Sequence, residues 1–260
     1  MSSKTNSLNP TLPREMMQHT YSILYEVEEK HWWYVGRRRI IANFVREICA
    51  QFNESRPRIL DIGCGTGGNL MMLSQFGEAE GVDVSPDALA FCRERGLQNV
   101  KLGSAESLPY EDATFDLVTA LDVVEHLDDD VAGLREMRRV LRPGGRLLMF
   151  VPTFMFLWGV QDEVSHHRRR YRLAELRRVA NEAGFSIERT TYANLTFFFP
   201  TLLGRQLMRL TGIRPESENN VNVSALNGVF GAVLGAERHL LRYVNFPFGV
   251  SGLCVARRVE

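Results

Sequence analysis

Cysteine is scarce and scattered. Cys49, Cys64, Cys92 and Cys254 form no C-x-x-C pair, which argues against a zinc site or a disulfide framework and makes a reducing cytoplasm the expected setting. Net charge is lacking too, because 31 acidic residues offset 31 basic ones. A global electrostatic grip on nucleic acid or anionic membrane is therefore not expected, although a local patch stays open. Lysine is almost absent, limited to Lys4, Lys30 and Lys101, so the basic residues are nearly all arginines, which stay charged and can fork onto carboxylates or phosphates. No apolar run reaches the roughly 18 residues that a membrane-spanning helix needs. Residues 147–160 and 221–236 come nearest and are broken by Pro152, Asn222, Ser224 and Asn227. Residues 1–13 are polar, without the apolar segment of a signal or anchor. What is present is ordinary: 260 residues, 45% hydrophobic and 10% aromatic, the proportions of a folded globular protein near the size limit of one core.

The chain divides into a flexible tail over 1–13, an N-terminal helical cap over 14–56 and one domain over 57–260 with a helical insertion at 194–243. Ile40, Ile41, Phe44, Val45, Ile48 and Phe52 make one apolar helical stripe. From Pro57 onward, short apolar strands at 58–62, 79–82, 100–102, 115–121 and 146–151 alternate with helices at 67–75, 86–95 and 129–141. Ser85 and Pro86 sit where a helix cap and first turn want them, and Pro143, Gly144 and Gly145 stop the last helix. Such alternation predicts an α/β, doubly wound, Rossmann-like sheet. A loop at 152–170, a helix at 173–183 and strands at 186–192 and 249–258 complete seven strands. Two apolar helical stretches, at 194–211 and 224–243, are joined by the polar segment 214–222.

The segment Ile59-Leu60-Asp61-Ile62-Gly63-Cys64-Gly65-Thr66-Gly67-Gly68 is a strand running into a glycine-rich turn that opens a helix. Glycine lets backbone approach a ligand, and a helix N-terminus offers free N–H groups. Asp83, at the tip of the second strand, suits a ribose diol. Gly63, Gly65 and Gly68 also spell G-x-G-x-x-G, which alone is weak support for a dinucleotide. Asp61 decides against it, since an anion at the strand end repels a pyrophosphate and suits a cationic amino-acid group.

Here the sequence resembles the class I S-adenosylmethionine-dependent methyltransferases. The resemblance runs from Pro57 to Val151 through the D-I-G-C-G-T-G turn and the strand end Gly81-Val82-Asp83-Val84-Ser85. It continues through Gly103-Ser104-Ala105-Glu106-Ser107-Leu108-Pro109-Tyr110 with Phe115-Asp116-Leu117-Val118, then Val124-Glu125-His126-Leu127 and Leu141-Arg142-Pro143-Gly144-Gly145. It implies a last strand that runs antiparallel and S-adenosylmethionine as cofactor. The methionine part would lie against Asp61, Gly63, Cys64 and Gly65, the ribose on Asp83, and the adenine between Val84 and Ser104-Ala105-Glu106, with Leu121 nearby. Many relatives have Asp where Ser104 stands; its hydroxyl or Glu106 would take over that contact. His31-Trp32-Trp33-Tyr34-Val35-Gly36-Arg37-Arg38-Arg39, just before the amphipathic helix, resembles an N-terminal cap in which Tyr34, Arg37 or Arg38 reaches the cofactor's carboxylate. Equally, the tryptophans anchor the cap while the arginines face solvent.

Methyl transfer mainly needs alignment and, for a hydroxyl acceptor, removal of a proton; no metal is called for. His167, Arg169, Arg170 and Tyr171 match an H-x-R-R-Y pattern of similar methyltransferases, with His166 as an extra imidazole. The candidate catalytic residues are His167, His166, Asp122 and His126. The bland alternatives are a charged loop paired with Asp162, Glu163 and Glu175, helix-start packing for His126, and a capping role for Asp122. The expected acceptor is a small molecule, anionic or apolar, methylated on oxygen, nitrogen or carbon. A glycan or lipid-linked acceptor and a catalytically silent partner subunit are the rivals. No Asn/Asp-Pro-Pro-Tyr follows the fourth strand, where Leu121-Asp122-Val123-Val124 stands, which disfavours nucleic acid. The insertion reads as packing on the sheet, a dimer interface or an apolar lid; peripheral membrane contact, monomer and homodimer stay open.

Overall fold

Residues 18–52, 56–213 and 224–260 are described by a computed structural model. The expected tail at 1–13 and the joint at 214–222 lie outside the described residues. Among the described residues the short apolar runs become β1 (Arg58–Ile62), β2 (Glu78–Asp83), β3 (Val100–Leu102), β4 (Phe115–Leu121), β5 (Leu141–Pro152), β6 (Phe185–Ala193) and β7 (Ser251–Arg258). They form one sheet in the order β3-β2-β1-β4-β5-β7-β6. β1 to β5 pair in parallel, while β7 runs antiparallel to both β5 and β6. The fold is thus the α/β sheet with a reversed last strand that the sequence implies.

The helices are α1 (Gln18–Val27), α2 (Trp32–Cys49), α3 (Gly68–Leu73), α4 (Pro86–Glu94), α5 (Asp130–Val140), α6 (Val160–Val164), α7 (Leu173–Glu182), α8 (Phe198–Thr211) and α9 (Asn227–Leu241). Ser85 caps α4 by accepting from the Ala88 N–H, and Asp129 caps α5 by accepting from the Ala132 N–H. One face of the sheet packs α5 and α7 through Leu134, Met137, Leu176 and Val179. On the other face Ile40, Ile41, Phe44 and Val45 of α2 share a core with Ile59, Leu117, Leu148 and Leu253. Fully burying each such side chain contributes about 1.5–3 kcal/mol.

The insertion joins this second layer. A Cβ added at Gly36 would come within 2.7 Å of Leu234 in α9, and one at Gly235 within 2.7 Å of Arg39, so glycines bring α2 and α9 into close contact. The Trp32 N–H donates to Asn227 Oδ1 at 3.2 Å. Glu237 in α9 is buried and accepts from the Asn194 N–H, the Thr196 N–H and the Thr196 hydroxyl at 2.7, 2.8 and 2.7 Å, fixing where the chain leaves β6.

Three local expectations fail. The aromatic and arginine run is not a lead-in to the amphipathic helix but its first two turns, with His31 as the cap that accepts from the Trp33 N–H. β5 begins at Leu141 rather than Arg146, because its register against β4 jumps from Phe115↔Leu141 to Leu117↔Arg146 and a bulge absorbs Pro143, Gly144 and Gly145. The presumed loop at 152–170 holds a 3-10 turn (Met155–Leu157) and α6, whose five residues are too short to show a period.

Candidate active site

The carboxyl ends of β1, β2, β4 and β5 open onto a cavity of about 740 Å³, roofed by α1, the start of α2 and the 160–170 segment. That volume is in the range of small-molecule sites, roughly 300–1,000 Å³. Tyr34, Arg38, Gly63, Cys64, Gly65, Asp83, Val84, Ser104, Ala105, Glu106, Leu121, Asp122, His126, His166 and His167 all line it. Asp61 is the one predicted residue that does not; it lies beneath the turn, 1% exposed.

At one end the parallel register puts Asp61 beside Thr119, whose hydroxyl donates to Asp61 Oδ1 at 2.6 Å. The other oxygen, Oδ2, is buried without a partner. Burial, only partly opposed by that hydrogen bond and by the Arg37 charge, pushes the Asp61 carboxyl up to about 7. Asp83 Oδ2 accepts from the Gly65 N–H at 2.8 Å and Oδ1 from the Ser85 N–H at 3.0 Å. Most of the turn's own N–H groups are engaged within the protein, ahead of the helix that starts at Gly68. Those of Gly63 and Cys64 donate to Val82 O, that of Gly65 to Asp83 and that of Gly67 to Cys64 O; the turn spends them on holding its own left-handed shape. Gly65 has φ +53°, and an added Cβ would meet nothing nearer than Leu24 at 3.8 Å, whereas one at Gly63 would strike Val123 at 2.6 Å. A side chain at Gly65 thus has room in the protein and would occupy the cavity.

Above the turn, Glu28 of the segment between α1 and α2 is buried and accepts from the Thr66 hydroxyl and from Arg95 at 2.8 Å. Its carboxyl is raised by burial against those interactions. Arg38 donates to the Glu28 carbonyl and stands 3.9 Å from its carboxylate. Arg37 turns the other way, pairs with Asp122 at 2.8 Å and lies over the Phe150 ring. Asp122 has φ +61°, an uncommon conformation for a non-glycine residue, which aims its carboxylate back at α2. Sequence reasoning missed Glu28, Thr66 and Arg95, which are far apart in the chain and carry no shared motif.

At the other end, His167 Nδ1 is 2.8 Å from Asp162 Oδ1. Asp162 is buried and takes a two-pronged pair from Arg170 at 2.8 and 2.9 Å. Burial alone would raise its carboxyl, but the His167 bond and the Arg170 charge win and hold it at about 2. The His126 ring meets the His167 ring edge to face at 4.7 Å, and burial lowers His126 to about 3, leaving it neutral. His166 is exposed with φ +55°. The arginines do pair, though mostly not as expected: Arg168 and Arg169 reach Asp128 and Asp130, and only Arg170 takes Asp162. Arg205 of α8 adds a buried guanidinium at this end, 3.7 Å from Asp162.

Residues 60–149 match the family model described as a methyltransferase domain. The chain is 37% identical over 122 residues to an uncharacterized methyltransferase, YcgJ, of Bacillus subtilis, covering 44% of this chain and 48% of the relative. It is 37% identical over 100 residues to norajmaline N-methyltransferase of Rauvolfia serpentina, covering 35% of this chain and 34% of that one. The alignments thus span about a third to a half of these relatives' lengths. The crystal structure of the [4+2]-cyclase SpnF superposes with a TM-score of 0.56 at 21% identity, covering 95% of this chain and 98% of that one. The sheet order and these matches define a class I methyltransferase fold. The methyltransferase-domain match over residues 60–149, with these relatives, supports a class I S-adenosylmethionine-dependent methyltransferase assignment for that domain.

Proposed function

We propose that this protein transfers a methyl group from S-adenosylmethionine to a small-molecule acceptor. The observation that carries the reading is one cavity with two unlike ends, acidic strand tips at one and a half-buried imidazole pair at the other. The cofactor end fits on its own residues. The partnerless Asp61 Oδ2 suits an ammonium, Asp83 is a fixed acceptor for a ribose diol, and Gly65 leaves the space that a ligand would fill. Val84, Ser104, Ala105, Glu106 and Leu121 are the side walls for an adenine, and Tyr34 and Arg38 lie over the opening. The Ser104 hydroxyl accepts from the Glu106 N–H at 3.2 Å and keeps a second lone pair, so Ser104 or Glu106 can accept from an adenine amino group.

When bound, the cofactor supplies a methyl group on a sulfonium, displaced in line by the acceptor. The protein's own part is to exclude water, hold the acceptor near the β4 end and remove its proton. We assign that last task to His167, which lines the cavity and whose Nδ1 is held by Asp162, leaving Nε2 to take the proton. A lipid-linked or otherwise apolar acceptor is the second reading. It is favoured by α8, where Phe199, Leu203, Leu207 and Leu210 are 64, 71, 58 and 84% exposed on a helix whose Thr201 and Arg205 line the cavity. Among the described residues no helix is long and apolar enough to cross a membrane.

The test is calorimetry of the purified chain with S-adenosylmethionine, its demethylated product and NAD, then metabolite and lipid extracts with labelled cofactor. Binding of NAD but not of the sulfonium ligand would sink the proposal. Binding with no labelled product from any extract would favour a silent subunit or a different reaction, for which the cyclase with the same fold is a reminder that architecture does not fix chemistry.

A further inference from the structure

Glu125 has no role in the reading above and lies just behind the cavity wall, next to His126, which lines it. It is 0% exposed and both of its carboxylate oxygens lack a hydrogen-bond partner. A buried carboxylate left so is costly unless something else satisfies it. Two imidazoles stand next to it. Glu125, His126 and His167 each present one donor atom within 4.8 Å of the others, and His167 Nε2 is 3.9 Å from Glu125 Oε1.

The surroundings hold the three in place. The Arg168 N–H donates to the Glu125 carbonyl and its guanidinium Nε to the His126 carbonyl, both at 2.9 Å, stitching the 160–170 segment to the turn that carries Glu125 and His126. Asp162, fixed by Arg170 and by the Gly159 N–H at 2.7 Å, accepts from His167 Nδ1–H. That bond selects the tautomer with its Nε2 lone pair directed at Glu125. A carboxylate behind an imidazole is the arrangement that orients metal-binding histidines.

We propose that Glu125, His126 and His167 bind a divalent transition cation, zinc foremost, with the remaining coordination position open to the cavity. Two imidazole nitrogens and one carboxylate oxygen suit zinc, cobalt or iron(II), and suit magnesium or calcium poorly. Ligands about 2.0–2.1 Å from zinc lie roughly 3.4 Å from one another in a tetrahedron, so the three donors need to close by less than 2 Å. The cation would bind regardless of the reaction; its use rests on the methyltransferase reading. There it would take the acceptor's hydroxyl or carboxylate oxygen at the open position and lower the hydroxyl's pKa, and the His167 lone pair would serve as ligand instead of base. This departs from the cysteine-based expectation of no metal, because the ligands here are separated in sequence by about forty residues and contain no sulfur.

The experiment uses the full chain, freed of metal by a chelator, and titrates it with zinc by calorimetry and with cobalt by visible absorption. One zinc per chain is expected, together with cobalt d–d bands lacking the near-ultraviolet band of a thiolate ligand. Glu125→Gln and His167→Ala should each weaken zinc at least about 100-fold, and Asp162→Asn about 10- to 100-fold, whereas His239→Ala, at an exposed position of α9, should change nothing. No cobalt band in the wild-type chain, or zinc affinity equal in wild type and variants, would overturn the proposal, and the cobalt reading needs no variant to fold. Cofactor binding is measured separately. Zinc binding without cofactor binding leaves the ion site standing and sinks the methyltransferase reading, while the reverse result removes only the ion.

Discussion

The two ends of the cavity are built on different principles. The Asp61–Asp83 end is made of backbone, with strand tips in register and a glycine turn whose N–H groups are tied to Val82 and Asp83. The His126–His167 end is made of side chains holding side chains, where His167 leans on Asp162, Asp162 on Arg170, and the segment on Glu125 and His126. A site fixed by backbone depends on conformation and tolerates only glycine at its tightest points. One fixed by ion pairs depends on charge and can be dismantled one residue at a time.

The sharpest way to separate the two ends is His167→Ala. Whether His167 acts as base or as ligand, turnover should fall by about 100- to 10,000-fold while affinity for S-adenosylmethionine stays within about twofold. Steady-state kinetics and calorimetry on the same preparation check it, and parallel loss of both would mean that the ends are not independent. Gly65→Val should do the opposite and abolish cofactor binding, by at least about 100-fold or ~3 kcal/mol. The fold should lose only about 1–2 kcal/mol from the left-handed φ. Unaltered circular dichroism must accompany the loss, and binding that survives would show that the turn is not a cradle.

Asp83→Ala should cost about 1–3 kcal/mol of cofactor affinity as a charged acceptor is lost, measured the same way. Asp61 predicts a pH effect. Its carboxyl sits near 7 when folded, far above the usual carboxylate range, so the folded chain holds a proton there that the unfolded chain has shed. This group therefore makes the fold progressively less stable from about pH 4 to 7, with no further change above. A bound ammonium would favour the anion. Cofactor affinity should rise with pH up to about 7, by at most tenfold per unit, and then level off, with one proton released on binding below 7. Calorimetry in buffers of different ionisation enthalpy reads that proton, and Asp61→Asn should flatten the slope. The smallest effect is expected at the rim: Arg168 and Asp128 are 47% and 71% exposed, and Asp128→Ala should change stability by less than about 1 kcal/mol in a denaturant titration.

The same contrast explains what the sequence made legible. The parallel strands and the residues at 61–65, 83–84 and 103–106 sit in contiguous motifs, so strand, turn and acid are read together, while the reversed last strand came only with the family resemblance those motifs carry. The His126–His167 end joins residues from 125–126, 162–170 and 205, which only the fold brings together. Glu125 stood in plain view in Val124-Glu125-His126-Leu127, but nothing in that string says that its carboxylate is buried without a partner. Asp162 looked like a counter-ion for arginines and is also the support of His167. Arg38 looked free to reach a ligand, but Glu28 and Arg95, 67 residues apart, set its surroundings. Helix starts near Trp32 and Val160 were obscured because an aromatic cluster and a five-residue helix show no apolar period.

The contact between α2 and α9 also has a temporal side. The Trp32 and Asn227 positions that meet at its end are 195 residues apart. At about 5–20 residues per second of synthesis, a nascent chain would carry α2, with its apolar stripe already made, for roughly 10–40 s before its helical partner exists. The sheet strands β1 to β5 emerge in that interval and can cover Ile40, Ile41 and Phe44 first. The surface around Gly36 must wait for α9. Substitutions there would show up in yield and aggregation during expression before they altered any property of the finished protein.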